Sequence, residues 1–253
     1  DFPEAELDYL RSRGIDLTGL QVKQDEKSFF WEGKYHYNMN SRDTLDTQLN
    51  VLADFEPVLP EAYQHTDFVM LGNLTPDHQL EVLEQMHQSP AFVGLDTMNF
   101  WMDNALESLK KVLRRVDGLL VNDEEARQLS GEYSLVKAAA AIHEMGPHTL
   151  IIKKGENGAL LFQDGQIFFA PALPLVDVFD PTGAGDTFAG GFMGYLAGTG
   201  DRSFENMKRA VIYGSAMASF CVEKFGIERL KELTRAEIDH RIQRFVDLVH
   251  FDV

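Results

Sequence analysis

The segment Asp180-Pro181-Thr182-Gly183-Ala184-Gly185-Asp186-Thr187-Phe188-Ala189-Gly190-Gly191-Phe192 carries the densest chemistry in the 253-residue chain. Pro181 has no N–H to give a central strand, and the glycines permit close approach of the backbone to a ligand. Phe188, Phe192 and Leu196 recur at helical spacing, so the glycines stand at the head of a helix. Successive N–H groups there, reinforced by the helix dipole, make a site for an anion such as phosphate. A carboxylate in such a place repels the ligand unless it has a task. Asp186 is either a first-turn acid that satisfies orphan amides, or a general base directed at a hydroxyl that attacks a phosphoryl group, with the amides stabilising the charge that develops.

The elements that must position this loop follow from the apolar pattern. From residue 66 onward, Phe68–Leu71, Phe92–Leu95, Gly118–Val121 and Leu150–Ile152 alternate with helical stretches, the pattern of parallel strands joined by crossover helices. Thr75-Pro76 starts a helix running towards His87, Asp103 to Val116 reads as a second, and a third begins near Ser134 and stops at Gly146-Pro147. Gly158 to Phe162 and Gln166 to Ala170 form a hairpin about Asp164-Gly165. The last third is helical, from Gly185 through Phe225 and from Thr234 to Val249. At the other end, Pro3 to Arg13 reads as a short helix closed by Gly14. Ser28 to Trp31 and Lys34 to Tyr37 read as aromatic arms of a hairpin turning at Glu32-Gly33, either exposed or part of an ordinary sheet edge.

Composition narrows the function. The 23 Lys+Arg against 40 Asp+Glu give a formal charge of −17, with no basic block, which excludes a nucleic-acid partner. The longest apolar runs fall far short of the roughly 18 residues that span a bilayer, so no membrane role is expected. The acidic start, Asp1-Phe2-Pro3-Glu4, lacks the order of a signal peptide, and the single cysteine, Cys221, suits a reducing cytoplasm, where the chain is expected to reside. Cys221 reads as mid-helix filler. The eight histidines lack ligand spacing, and the glycines do not follow the strand-and-acid context of a dinucleotide site. One α/β domain over residues 1–253 is the expectation.

The sequence from Asp180 to Phe192 resembles the C-terminal signature of the ribokinase-like (PfkB) family of carbohydrate and nucleoside kinases. Asn122-Asp123-Glu124-Glu125 resembles the family's Asn-x-x-Glu element, and Lys153-Lys154-Gly155-Glu156-Asn157-Gly158 its Lys/Thr-x-Gly-x-x-Gly turn. Tyr213 to Ser219 resembles the helix that covers the adenine. The resemblance implies a three-layer αβα sandwich with a mainly parallel central sheet and a small β lid around residues 19–50. It implies Asp186 as catalytic base and the Gly183, Ala184 and Gly185 amides as an anion hole. Asn122 and Glu125 would organise Mg²⁺ through water, in keeping with the ion's habit of retaining several waters; they equally fit a helix cap with a near capping box. Lys153, Gly155, Gly158, Thr182 and Ser215 would contact ATP, although Lys153 equally suits a solvated charge at a strand end. Asp180 and Thr182 match positions where relatives hold a monovalent cation such as K⁺, although Asp180 also suits a turn before Pro181.

On the substrate side the resemblance makes the aromatic hairpin part of the lid and of a homodimer contact. Asn40 and Arg42 beside it, and Asn99 after a strand end, are candidate hydrogen-bonders to a sugar or nucleoside, or else polar loop and capping residues. Relatives begin with a strand, an acidic residue and a Gly-Gly element that the chain does not show, so the expectation is that the domain is incomplete at its N-terminus. The expected activity is transfer of the γ-phosphoryl of ATP to a primary hydroxyl of a ribose-like sugar or a nucleoside such as adenosine. The alternative is a catalytically silent nucleotide-binding regulatory protein of the same fold.

Overall fold

The computed structural model describes residues 2–37, 39 and 41–250. The chain forms two compact units, one of residues 1–66 and 81–89, the other of residues 67–80 and 90–253.

The first unit opens with helix α1 (Glu4–Ser12), which ends at Arg13 ahead of Gly14 in the left-handed region (φ 76°), as its sequence leads one to expect. Strands β1 (Phe30–Tyr35) and β2 (Arg42–Gln48) form an antiparallel two-stranded ribbon. The expected turn at Glu32-Gly33 is not there. β1 runs straight through these residues with a bulge between them, and the reversal comes after Tyr35, where His36 N–H donates to Ser41 O at 2.9 Å. Glu-Gly lacks the Asn or Asp that favours a tight two-residue turn. Gly33 instead makes room for an aromatic ring: a β-carbon there would lie 2.1 Å from the Trp31 indole, which covers the glycine on the same face of the strand.

In the second unit a six-stranded sheet has the order β3-β4-β5-β6-β7-β8. Strands β3 (Phe68–Leu71), β4 (Phe92–Asp96), β5 (Gly118–Asn122) and β6 (Thr149–Lys153) are parallel; β7 (Ala159–Gln163) and β8 (Gln166–Ala170) continue antiparallel. Asp164 and Gly165 both take positive φ (48° and 77°) between β7 and β8, the conformation a two-residue hairpin needs. The helices are α2 (Pro76–Glu84), which runs on into the first unit, α3 (Asn99–Asn104), α4 (Leu106–Leu113), α5 (Asp123–Ser130), α6 (Leu135–His143), α7 (Ala184–Thr199), α8 (Phe204–Cys221), α9 (Glu228–Lys231) and α10 (Arg235–Val249). The single helix expected over 103–116 is two, broken at Ala105, whose φ of −145° leaves the helical region although no Gly or Pro marks the place.

The apolar strands are buried on both faces, as parallel strands between helices must be. Phe92, Leu120 and Ile151 pack with Phe188, Phe192 and Leu196 of α7 and Val211 of α8. Alternate residues Leu119, Val121, Leu150 and Ile152, also fully buried, face the other way, where α5 and α6 lie on β5 and β6. The unit is thus a three-layer α/β sandwich with a mainly parallel sheet. Register places Asp96, Asn122 and Lys153 together at the carboxyl edge of β4, β5 and β6, the edge at which open α/β sheets take their ligands.

Candidate active site

The glycine loop arrives at this edge in a defined shape. Gly183 is the residue before α7 and adopts φ 78°, ψ 2°, a left-handed conformation unfavourable to any side chain. The first intrahelical bond of α7 is Thr187 N–H to Gly183 O at 2.8 Å, and Ala184 N–H is turned back onto Pro181 O at 3.1 Å. The N–H groups of Gly185 and Asp186 belong to the orphan donors of the first turn, next to the positive end of the helix dipole. Asp186 stands on that turn.

Two side chains from the sheet meet the loop. The Lys153 ammonium lies 3.6 Å from the Asp96 carboxylate, and a β-carbon on Gly185 would come within 3.2 Å of that ammonium. Burial pushes the Asp96 carboxyl above the ordinary carboxylate range; Lys153 opposes the shift and the Asp186 charge adds to it. Asp96 is the member of the site that the sequence reading passed over. The available signal was a lone carboxylate closing the apolar run Phe92 to Leu95 at a strand's C-terminal end.

Asn122 and Glu125 sit where expected, on β5 and the first turn of α5, and they form a complete capping box. Asn122 Oδ1 accepts from Glu125 N–H at 2.8 Å, and Glu125 Oε2 accepts from Asn122 N–H at 2.7 Å. Glu125, a residue only 8% exposed, is therefore fixed at the same sheet edge as Lys153. Among the described residues no group of three His, Cys, Asp or Glu side chains could hold a metal by itself. The donor set suits Mg²⁺, which is commonly held through one or two carboxylates, waters and substrate phosphate oxygens.

Asp180 is buried and behaves as the turn residue its sequence allowed: Oδ1 accepts from Thr182 N–H at 2.9 Å and Oδ2 from Gly226 N–H at 3.3 Å. Thr182 O accepts from the thiol of Cys221 at 3.6 Å. Cys221 is the last residue of α8, not a mid-helix position, and lies directly behind the glycine loop, where burial pushes its thiol pKa up. Val222 O accepts from Phe179 N–H (2.8 Å) and Asp180 N–H (3.4 Å), joining the start of the loop to the end of α8. The next residue, Glu223, is gripped by Arg241 of α10 (2.6 Å) and Arg229 of α9 (3.0 Å), while Arg241 also donates to Ser219 and lies 3.7 Å from the Phe220 ring centroid.

The remaining candidates are more dispersed. Gly155 has φ 54° and Gly158 φ 79° in the turn after β6, and a β-carbon on Gly158 would strike Ala170 O at 2.1 Å, so close packing against β8 already requires that glycine. Ser215 is half-buried on α8, next to Gly214, which packs against Phe188 of α7. Asn99 begins α3 and donates its amide to Gln128 of α5. Arg42 is on the ribbon of the first unit, with its guanidinium 5.5 Å from the Trp31 ring centroid. Asn40 lies outside the described residues.

A strand-edge lysine and a first-turn aspartate at the head of α7, with a capped Asn-x-x-Glu pair at the start of α5 on the same sheet edge, make an arrangement able to take a phosphoryl group. The sequence pattern of the pfkB family carbohydrate kinases matches residues 1–232. A cytidine kinase of Thermococcus kodakarensis is 30% identical over 202 residues, covering 78% of this chain and 71% of its own. A 2-dehydro-3-deoxygluconokinase of Thermoproteus tenax is 40% identical over 210 residues, covering 78% of this chain and 64% of its own. Among solved structures, a nucleoside kinase of Methanocaldococcus jannaschii, an archaeal member of the ribokinase family, superposes with a TM-score of 0.74 at 19% identity, over 94% of this chain and 76% of its own. The chain belongs to the pfkB family of carbohydrate kinases and has the ribokinase fold.

Proposed function

We propose that the chain transfers the γ-phosphoryl group of ATP to a primary hydroxyl of a ribose-like sugar or a nucleoside. The observation that carries this reading is the placement of Asp186 on the same helical turn as the orphan amides of α7, with the Lys153 ammonium against Gly185. Mg²⁺ with ATP supplies the electrophilic phosphorus and screens its charge. Asp186 takes the proton of the acceptor hydroxyl as that oxygen bonds to phosphorus and the bond to the departing ADP breaks. Ala184 N–H is taken by Pro181 O, so the orphan amides of Gly185 and Asp186, rather than all three of residues 183–185, hold the negative charge of the transferred group together with Lys153. Asn122 and Glu125 would hold Mg²⁺ through water, Gly155, Gly158 and Ser215 would line the nucleotide, and Asp180 with Thr182 would hold K⁺. Asn99, at the start of α3, would serve the acceptor.

The relatives favour no single acceptor, since one is named for a nucleoside and another for a sugar acid. We infer further that two copies pair through the β1–β2 ribbon, whose Phe30 and Leu45 are exposed, and that the protein works in the cytoplasm. No helix among the described residues is long and apolar enough to cross a membrane.

The test is ADP release over pentoses, sugar acids and nucleosides including cytidine and adenosine, repeated with Asp186→Asn. Loss of a positioned base lowers turnover by about 10²- to 10⁴-fold while ATP binding persists. A variant that keeps most of the rate removes Asp186 from the chemistry. Tight ATP binding by the wild type with no turnover on any acceptor marks the chain as the regulatory alternative.

A further inference from the structure

Three charged groups converge at the head of α7, and the reaction as proposed uses two of them. Asp186 is the base and Lys153 faces the phosphoryl oxygens. Asp96 has no assigned work, yet its position is costly. Its side chain is only 13% exposed, burial disfavours its charge, and Asp186 is near enough to disfavour it further. Its backbone is fixed as well, with Asp96 O accepting from the buried Gln79 amide at 3.2 Å.

Its partner is Lys153, whose side chain is 19% exposed, at 3.6 Å. A buried pair of this kind adds little net stability, because loss of hydration offsets the attraction. The separation is also longer than the roughly 2.7–2.9 Å of a charge-assisted hydrogen bond, so the ammonium is aimed by the carboxylate while keeping its donors for another oxygen. The direction of aim is visible: the same nitrogen sits 3.2 Å from where a β-carbon on Gly185 would be, above the first turn that carries Asp186. A lysine on four rotatable bonds does not hold such a place unaided.

We propose that Asp96 is a positioning residue for phosphoryl transfer, holding the Lys153 ammonium against Gly185 at the head of α7, where the transferred group must pass. This rests on the kinase reading above. Two effects of removing the carboxylate then oppose one another. One negative charge fewer behind the lysine strengthens attraction for ATP in the ground state, whereas an ammonium free to wander stabilises the transition state less.

Calorimetric titration with ATP and Mg²⁺, and steady-state turnover on the acceptor the wild type prefers, are measured for wild type, D96N, K153M and the double variant. D96N is expected to bind ATP about fivefold more tightly, the order set by one charge several ångström away, and to lose about tenfold or more in kcat through misplacement of the ammonium. In the K153M background the same change loses both effects. Affinity and kcat of D96N within twofold of wild type overturn the proposal, as do parallel losses in both or the same effects persisting without Lys153. A D96N chain that does not fold, alone or with K153M, makes Asp96 a structural group and equally overturns it. A wild type inactive on every acceptor defeats the kinase reading instead, and the calorimetric comparison still decides the role of Asp96 towards Lys153.

Discussion

Two glycines two residues apart in the same loop respond to alanine in opposite ways. Gly183 has φ 78° and open space around its missing side chain, the nearest atom to the place a β-carbon would take being Cys221 Sγ at 4.0 Å. Gly183→Ala therefore meets no collision, only the backbone cost of a left-handed L-residue, about 1–2 kcal/mol. For a chain of this size that is a fall in Tm of about 2–8 °C. Gly185 is inside the first turn of α7, where alanine raises helix propensity by up to about 1 kcal/mol. Its β-carbon, however, would sit 3.2 Å from Lys153 Nζ and displace the ammonium by a few tenths of an ångström. Gly185→Ala should keep or slightly raise Tm and still lower kcat about tenfold, in line with the sensitivity of positioned groups to small displacements. Differential scanning calorimetry and ADP release, run on both variants, separate the two effects. Full activity in Gly185→Ala would refute the placement of Lys153, and an unchanged Tm in Gly183→Ala would refute the left-handed loop.

Arg241→Met strands part of the Glu223 carboxylate, which keeps Arg229, so a loss of about 2–3 kcal/mol is expected in urea unfolding, below the full cost of breaking a buried pair. Two carboxylates give opposite pH signatures. The folded-state pKa of Asp96 is raised, so its contribution is fullest at acid pH and is lost as pH rises through that pKa; the Tm of D96N relative to wild type should climb from pH 4 towards neutrality. Glu237, held down to about 2 by Thr234 and Arg229, contributes above its ordinary value of 4.5 and loses this as pH falls towards 2, and Thr234→Ala should flatten that acid limb. Cys221, buried behind the loop with a raised pKa, should resist iodoacetamide at pH 8 until the chain is unfolded, and rapid labelling of the native protein would contradict that burial.

Local chemistry made much of this legible. The glycine loop, the Asn122–Glu125 cap and the Asp164-Gly165 hairpin each depend on residues within a few positions, and each has the form its sequence implies. Glu32-Gly33 misled because glycine marks a bulge as readily as a turn, and the deciding contact was with Trp31, two residues before it. The helix break at Ala105 carries no Gly or Pro to announce it. Asp96 escaped notice because its significance is purely spatial: Lys153 is 57 positions away and Asp186 is 90, numbers that follow from 153 − 96 and 186 − 96. Parallel strands align such residues at one edge without leaving a periodic trace in the sequence.

The grip of Arg229 and Arg241 on Glu223 reaches beyond the matched family pattern. The family pattern ends at residue 232, yet α10, at 235–249, supplies Arg241 and the glutamate that braces Arg229. Through Val222 this grip meets the start of the glycine loop. A helix that buries as few residues as α10, Arg241 and Phe245, commonly opens before a central sheet does. On warming, fraying of α10 would slacken the loop while the sheet stayed intact, so catalytic output should decline at temperatures where spectroscopic measures of folding still read native.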